Sequence, residues 1–288
     1  MAYPDLVDGE DLMNVNMSAA VSVVIPCYRC SGTIARAIAS VAGQTLVPAE
    51  VILIDDASGD GTRELLQELS LQYPSGWIKL LPLKRNVGAA GARNAGWQAA
   101  TQTYIAFLDS DDAWHPRKIE IQLAYMHSHP DVALCGHLCR QLGSDAGDSP
   151  WWVVDAFGAV SAVQAVTFAG LLLRHAFVTP SAMLKRSISM RFAQDVRHME
   201  DHRLWLDIVG APLPAVKLMV ELVAVYKPVY GASGLSADMW RMERAELANY
   251  RNLQGTRKIS YLSMRLLQAY SLAKYLRRLV IVHVLRRN

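Results

Sequence analysis

Cysteine is scarce in this chain, with four among 288 residues. A secreted disulfide framework needs more, so a reducing compartment suits the composition better. Charge is sparse and nearly balanced: 29 Lys and Arg face 26 Asp and Glu, for a net +3. A protein that reads nucleic-acid phosphates across its whole face carries a larger basic surplus. No long uncharged apolar run is present. The nearest approach, residues 208–225, is interrupted by Pro212, Pro214, Lys217 and Glu221, whereas a membrane span needs roughly 18 apolar residues or more. Residues 1–17 carry Asp5, Asp8, Glu10 and Asp11 and lack the basic start and apolar stretch of a signal peptide. What remains is 52% hydrophobic and 19% charged, the balance of a globular protein that is soluble or rests on a membrane surface. At about 150 residues per domain it makes one large domain or two small ones.

After a polar tail over residues 1–20, apolar strands and amphipathic helices alternate. Residues 21–26 (VSVVIP) form the short β-branched run expected of a strand covered on both faces. Ser31 opens a helical stretch in which Ile34, Ala37, Ile38 and Val41 share one stripe. Further strands are expected at 51–54, 78–81 and 104–108, with helices through Leu65, Leu66 and Leu69 and over 89–100. Repeated βα units of this length imply an α/β fold, a Rossmann-like and mostly parallel central sheet flanked by helices. Beyond residue 130 the pattern loosens. Strands are expected at 132–135, 177–184 and 223–227, a polar loop at 144–150, and a helix at about 200–209.

In open α/β sheets, ligands bind beyond the carboxyl ends of the strands. Pro26, Cys27 and Tyr28 follow the first strand, Asp55 and Asp56 end the second, Asn86 and Gly88 follow the third, and Asp109, Ser110, Asp111 and Asp112 follow the fourth. Acidic residues this crowded repel one another unless a cation sits among them. Hard oxygen donors in an open site suit Mg2+ or Mn2+ bridging to a phosphate. A solvated turn capping the next helix is the competing reading, and the strand-end position opposite Asp55 and Asp56 favours the metal. Gly88 and Gly91 allow close backbone approach, and the helix starting there offers free N–H groups to anionic oxygens.

Four blocks in this order, VSVVIPCYRCSGTIARAIASVAGQT, VILIDDASGDGT, NVGAAGARNAGW and YIAFLDSDDAWHPRKI, resemble a family 2 glycosyltransferase with the GT-A fold. The resemblance covers residues 21 to about 240. It implies a nucleoside-diphosphate sugar lying across the strand ends. Pro26 and Tyr28 would flank the base, Tyr28 by stacking; Asp56 would accept a hydrogen bond from the base, and Asp55 would support that turn. Asp109 would contact ribose or metal, Ser110 would lie beside the donor, and Asp111 would be the main ligand of Mn2+ or Mg2+. Asp112 would contribute there or cap the following helix. Arg93 would pair with a phosphate or hold the D-x-D loop by a salt bridge.

Transfer with inversion also needs a carboxylate that takes the acceptor's hydroxyl proton. The run HMEDHRLWLDI places Glu200 and Asp201 before a helix with Leu204, Trp205 and Ile208 on its buried stripe. The resemblance makes Asp201 the base and Glu200 its neighbour at the acceptor sugar, against simple helix-dipole stabilisation. His202 would cap that helix or share in acceptor binding. Residues 178–182 (VTPSA) would shape the acceptor side. Lys227, Tyr230 and Ser233, in a Gly- and Ser-rich segment at 230–236, would touch phosphate or form an ordinary linker.

The C-x-x-C pair Cys27 and Cys30 raises a thiol oxidoreductase, and with Cys135 and Cys139 a zinc site. The first strand arrives too early for the former and the spacing is wrong for the latter, so buried thiols are expected. In the C-terminal stretch Leu262, Leu266, Ala269, Ala273, Leu276 and Val280 recur at helical spacing, with Arg265, Lys274, Arg277, Arg278, Arg286 and Arg287 supplying charge. This reads as a basic amphipathic helix lying on an anionic membrane or packed on the domain. The expected division is a tail at 1–20, a GT-A domain at 21–230 with a nucleotide half (21–112) and an acceptor half (113–230), and a helical extension at 231–288. The expected activity is inverting, metal-dependent transfer from a UDP-sugar to a hydroxyl of a glycan or lipid-linked glycan, with no nucleic-acid partner. The enzyme would be cytoplasmic, peripheral on the inner face of the membrane. A non-catalytic nucleotide-sugar-binding or assembly protein is the alternative, and retention of both the D-x-D and the Glu200–Asp201 pair argues for turnover.

Overall fold

The β-branched run at 21–26 forms the middle of a longer strand, β1 (Ala19–Cys27), which starts early because Ala19 N–H already donates to Val47 O at 2.7 Å. The computed structural model to which this strand belongs describes residues 18–142, 160, 162–226 and 238–285. The loop expected at 144–150, most of the N-terminal tail, Lys227, Tyr230 and Ser233, and Arg286 and Arg287 lie outside the described residues.

The chain as far as residue 107 follows the expected alternation. Helix α1 (Ile34–Ala42) buries Ile34, Ala37, Ile38 and Val41, the stripe their spacing predicts, though it begins three residues after Ser31. Then come β2 (Pro48–Asp55), α2 (Thr62–Ser70), β3 (Ile78–Pro82), α3 (Gly88–Ala99) and β4 (Tyr104–Phe107). The strands lie side by side as β3-β2-β1-β4, all parallel, with Val23 opposite Val51 and Ala106, and Cys27 opposite Asp55. Their carboxyl ends therefore open at one edge of the sheet.

The chain continues through β5 (Ala113–Trp114), α4 (Lys118–Ser128), β6 (Leu134–Gln141), β7 (Val163–Ala165), α5 (Phe168–Leu173), a 3-10 turn (Thr179–Ser181), β8 (Met183–Lys185), α6 (Glu200–Gly210), β9 (Ala215–Val225), α7 (Met239–Gly255) and α8 (Tyr261–Leu285). Here the sheet becomes mixed. β8 runs antiparallel to β4 and to β6, β9 is parallel to β6, and β5 and β7 pair antiparallel with β9.

Strand bounds differ from expectation in this half, for identifiable reasons. The strand expected at 177–184 shrinks to Met183–Lys185, because Pro180 cannot donate to a ladder and the chain coils into the 3-10 turn instead. The strand expected at 223–227 is the end of β9, which begins at Ala215 just past Pro212 and Pro214. The run that proline and charge disqualify as a membrane span is thus the end of α6, a turn and a sheet strand. The strand expected at 132–135 extends to Gln141 because its partner β9 is long enough to pair with it throughout.

Alternate side chains of the central strands go to opposite faces. Val23, Ile25 and Leu53 join α1 and α4 residues in one apolar cluster, whereas Val24, Ile52 and Ile54 join Trp97, Trp205 and Tyr250 in the other. Tyr250 and Leu253 of α7 and Met264 of α8 belong to this second cluster, so the C-terminal helices pack on the domain. Helix α3 sits so close to the sheet that a Cβ on Gly96 would fall 2.5 Å from Val24 Cγ1 and 2.8 Å from Ile54 Cδ1. Gly96→Ala is expected to destabilise the protein by roughly 1–3 kcal/mol through overpacking, read as a lower urea midpoint at unchanged slope.

Candidate functional site

The carboxyl ends of the parallel strands surround a cavity of about 520 Å3. Pro26 and Tyr28 after β1, Asp56 after β2, Gly88 and Arg93 on α3, Asp109, Ser110 and Asp111 after β4, and Glu200 on α6 all line it. Several expected residues do not, Asp112 among them. Asp55 lies behind the wall, its Oδ1 accepting from Ser58 N–H at 3.1 Å, which is the turn-supporting place expected for it. Asp201 is described below. Gly91 is also outside the wall: a Cβ there would meet Val87 Cγ2 at 2.6 Å, so this glycine permits packing rather than ligand approach.

Tyr28 is 46% exposed, leaving its ring accessible at the cavity rim. Asp56 is buried and fastens the next loop: Oδ1 accepts from Val87 N–H at 2.7 Å and Oδ2 from Gly88 N–H at 2.9 Å. Burial, aided by the charge of Asp55, raises the Asp56 carboxyl against these two donors. Gly88 takes φ +75°, a left-handed turn that glycine adopts without strain. Its N–H is taken by Asp56, and Ala89 and Ala90 extend the wall along the first turn of α3.

Arg93 joins the two acidic motifs. Its guanidinium is almost wholly buried, with one nitrogen 2.7 Å from Asp109 Oδ1 and another 3.0 Å from Glu200 Oε1. Burial alone would lower its pKa, but these carboxylates raise it, so the group stays charged. Of the two roles open to Arg93, the salt bridge to the D-x-D is the one formed. Arg36 donates to the Asp111 backbone carbonyl at 2.8 Å and packs over the Tyr226 ring, fixing the same loop from the other side. Asp112 is buried, and its Oδ1 accepts from Tyr226 N–H at 3.3 Å; it ties the loop to the end of β9 and does not cap α4, which begins at Lys118.

Among the described residues no group of three or more His, Cys, Asp or Glu side chains gathers to hold an ion. Four carboxylates line the cavity; Asp56 is engaged by the Val87 and Gly88 amides and Glu200 by Arg93, which leaves Asp109 and Asp111 of the D-x-D as the hard-oxygen pair. Such a donor set fits Mg2+ or Mn2+ completed by water and phosphate oxygens, and does not fit a protein-only cage. The thiols of Cys27, Cys30 and Cys135 are buried and form no disulfide. Burial raises Cys27 and pushes Cys135 up to about 12, the state of structural rather than nucleophilic cysteines.

Glu200 and Asp201 open α6, turned into place by Met199 at φ +58°. Glu200 faces the cavity, while Asp201 Oδ2 accepts from Thr179 Oγ1 at 3.1 Å and Oδ1 lies 3.3 Å from His175 Nε2. The two carboxyls shift in opposite directions. Burial and the charge of Asp201 raise Glu200, against Arg93. Burial would raise Asp201 too, but His175, Arg93 and the His202 amide hold it well below the usual carboxylate range. His202 does not cap the helix. It is buried within α6, its ring 4.7 Å from that of His175, and burial with the His175 charge lowers it to about 3.

Several of these residues carry no sequence signal. His175 stands on an ordinary loop after α5, and Gln194, Val196 and Arg197, which complete the cavity wall, belong to an irregular segment before α6. A second cavity of about 230 Å3 lies on the other side of His175, lined by Arg174, His175, Lys217 and Gln164 with no carboxylate among its described walls. Asp201 itself lines neither space; its neighbour Glu200 lines the first and its hydrogen-bond partner His175 the second.

Residues 22–188, more than half of the chain, match the family model described as Glycosyl transferase family 2, and the chain belongs to that family. It is a glycosyltransferase. The UDP-Glc:alpha-D-GlcNAc-diphosphoundecaprenol beta-1,3-glucosyltransferase WfgD of Escherichia coli is 32% identical to it over 189 residues, 66% of this chain and 69% of that protein. The putative teichuronic acid biosynthesis glycosyltransferase TuaG of Bacillus subtilis is 29% identical over 242 residues, 83% of this chain and 90% of that one. Among solved structures, the mannosyltransferase PcManGT from Pyrobaculum calidifontis, in complex with GDP-Man and Mn2+, superposes with a TM-score of 0.64 at 15% identity, covering 95% of this chain and 82% of that chain. TarS of S. aureus in complex with UDP-GlcNAc gives 0.60 at 16%, covering 89% and 72%. These likenesses show the shared GT-A fold.

Removing Arg93 would leave two carboxylates without their shared cation. Arg93→Ala is expected to cost about 3 kcal/mol, measured by urea unfolding, and adding Glu200→Gln should recover part of that loss rather than deepen it.

Proposed function

We propose that this enzyme transfers a sugar, with inversion, from a UDP-sugar to a hydroxyl of a lipid-linked glycan at the cytoplasmic face of the membrane. The observation that carries the reading is the Arg93 bridge, which holds the D-x-D carboxylate of Asp109 and the acidic pair of α6 in one charge network beside one cavity. A protein that only bound nucleotide sugars would have use for the first and none for the second. The activity for which WfgD is named supports the acceptor class, and complexes with UDP-GlcNAc and with GDP-Man and Mn2+ among the structural neighbours support donor and metal.

In this reading Tyr28 stacks on the base and Asp56 accepts from its edge. The exposed Arg197 at the cavity wall pairs with the diphosphate. Asp111 and Asp109 would hold the divalent ion, whose chemistry when bound is to neutralise charge on the departing diphosphate. The acceptor lies against Asp201, with any phosphate it carries in the cavity formed by Arg174 and Lys217. As the acceptor oxygen bonds to the anomeric carbon, its proton passes to an Asp201 oxygen, and the bond from that carbon to the β-phosphate oxygen breaks with its electron pair leaving on the nucleoside diphosphate. Thr179 and His175 hold Asp201 in place for this step; Glu200 and Arg93 position it from the other side.

Asp201→Asn is expected to lower transfer by roughly 10²–10⁴-fold while UDP still raises Tm, and Asp111→Asn to abolish the Mn2+-dependent part of that stabilisation. Equal loss of nucleotide binding in both variants would refute these assignments. Burial would lower His175, but the Asp201 charge raises it, so the imidazole is cationic below that raised pKa and neutral above it. Its loss of charge strengthens Asp201 as a base, so kcat/KM should climb with pH through the His175 titration. His175→Asn should flatten that limb, as read from the pH profile of turnover.

A further inference from the structure

Helix α8 presents its apolar residues the wrong way round for a helix whose only task is to pack. Met264 and Ser271 are buried against the domain, whereas Leu262, Leu266, Leu276 and Val280 are 60–68% exposed. Spaced by three, four or multiples of a turn, these four share a single face, and Ala269 and Ala273 fill the gaps between them, also exposed. An isolated exposed leucine needs no explanation, but a continuous stripe marks an interaction surface.

The charges identify the partner. Tyr261–Leu285 contains no Asp or Glu. Its inward cations are neutralised within the fold, Lys274 by Glu246 at 3.1 Å and Arg278 by Glu243 at 3.5 Å. Arg265 and Arg277 are different: both are exposed, and each flanks the apolar stripe on one side. At 1.5 Å per residue a 25-residue helix is about 37 Å long, yet no described helix is long and apolar enough to cross a membrane. A second copy laid stripe to stripe would bring only like charges to the borders. Phosphate headgroups would meet both arginines while the leucines enter the acyl boundary.

We infer that α8 is a membrane-docking surface that lies flat on an anionic phospholipid leaflet. Away from the stripe, Lys274 Nζ donates to Leu173 O at 3.2 Å, and the next two residues, Arg174 and His175, line the second cavity. Docking through α8 therefore holds that cavity close behind the docked helix. This deepens the proposed lipid-linked acceptor, but it is measured without turnover and so stands or falls separately.

The test is co-sedimentation of the full chain with phosphatidylglycerol–phosphatidylethanolamine vesicles, compared with pure phosphatidylcholine. The wild type should partition onto the anionic vesicles and be released by salt. Arg265→Gln with Arg277→Gln should weaken partitioning roughly thirtyfold, from about 1 kcal/mol per basic residue. Leu266→Glu with Leu276→Glu should abolish it at unchanged Tm, with UDP stabilisation intact. Failure of the wild type to bind anionic vesicles would overturn the inference, as would undiminished binding by the leucine variant. So would a concentration-dependent dimer in sedimentation velocity that the leucine variant disrupts.

Discussion

A single buried guanidinium links the two acidic motifs of this molecule. Arg93 reaches Asp109 at 2.7 Å and Glu200 at 3.0 Å, supplying one cation to both. Burying carboxylates in a low-dielectric wall costs several kcal/mol each unless they are paired. Arg93 is itself placed by apolar packing: α3 lies against the sheet at Gly96, and the Phe192 ring lies 5.4 Å from the guanidinium. Hydrophobic burial thus sets the position of a charge, and the charge sets the position of the chemistry.

The same network explains why two adjacent carboxyls behave differently. Glu200 is raised by burial and by its neighbour, while Asp201, despite burial, is lowered by His175 and Arg93. Divergent environments for paired acids are how proteins assign distinct roles to like side chains. Asp201 stays ionised, and Glu200 completes the salt bridge to Arg93.

Much of the cavity wall at the parallel strand ends is legible in the amino-acid order. Apolar β-branched runs such as 21–26 and 51–54 admit few alternatives, and the residue after each run falls at the strand end whatever the details of packing. Asp56, Asp109 and Asp111 are readable for that reason. The surroundings of Asp201 are harder because tertiary context decides them. Pro180 converts an apolar run into a turn, β9 begins where two prolines suggest interruption, and His175 acquires meaning only through Asp201, 26 positions away. Arg197 shows no pattern at all in the sequence. The stripe on α8 is visible as spacing, but whether it faces inward or outward depends on how α7 packs beneath it.

The change in sheet direction at β8 separates the molecule into regions with different freedom to vary. On the parallel side, ligand-facing residues hang from strand ends whose register is locked by the ladder: a slip in β2 would displace Asp55, Asp56 and the loop they fasten together. On the mixed side β8 runs against both of its neighbours, and Arg174, His175 and Arg197 come from loops and helix approaches outside any ladder. Loops on the mixed side can therefore be reshaped without disturbing the ladder that keeps Asp55 and Asp56 in register.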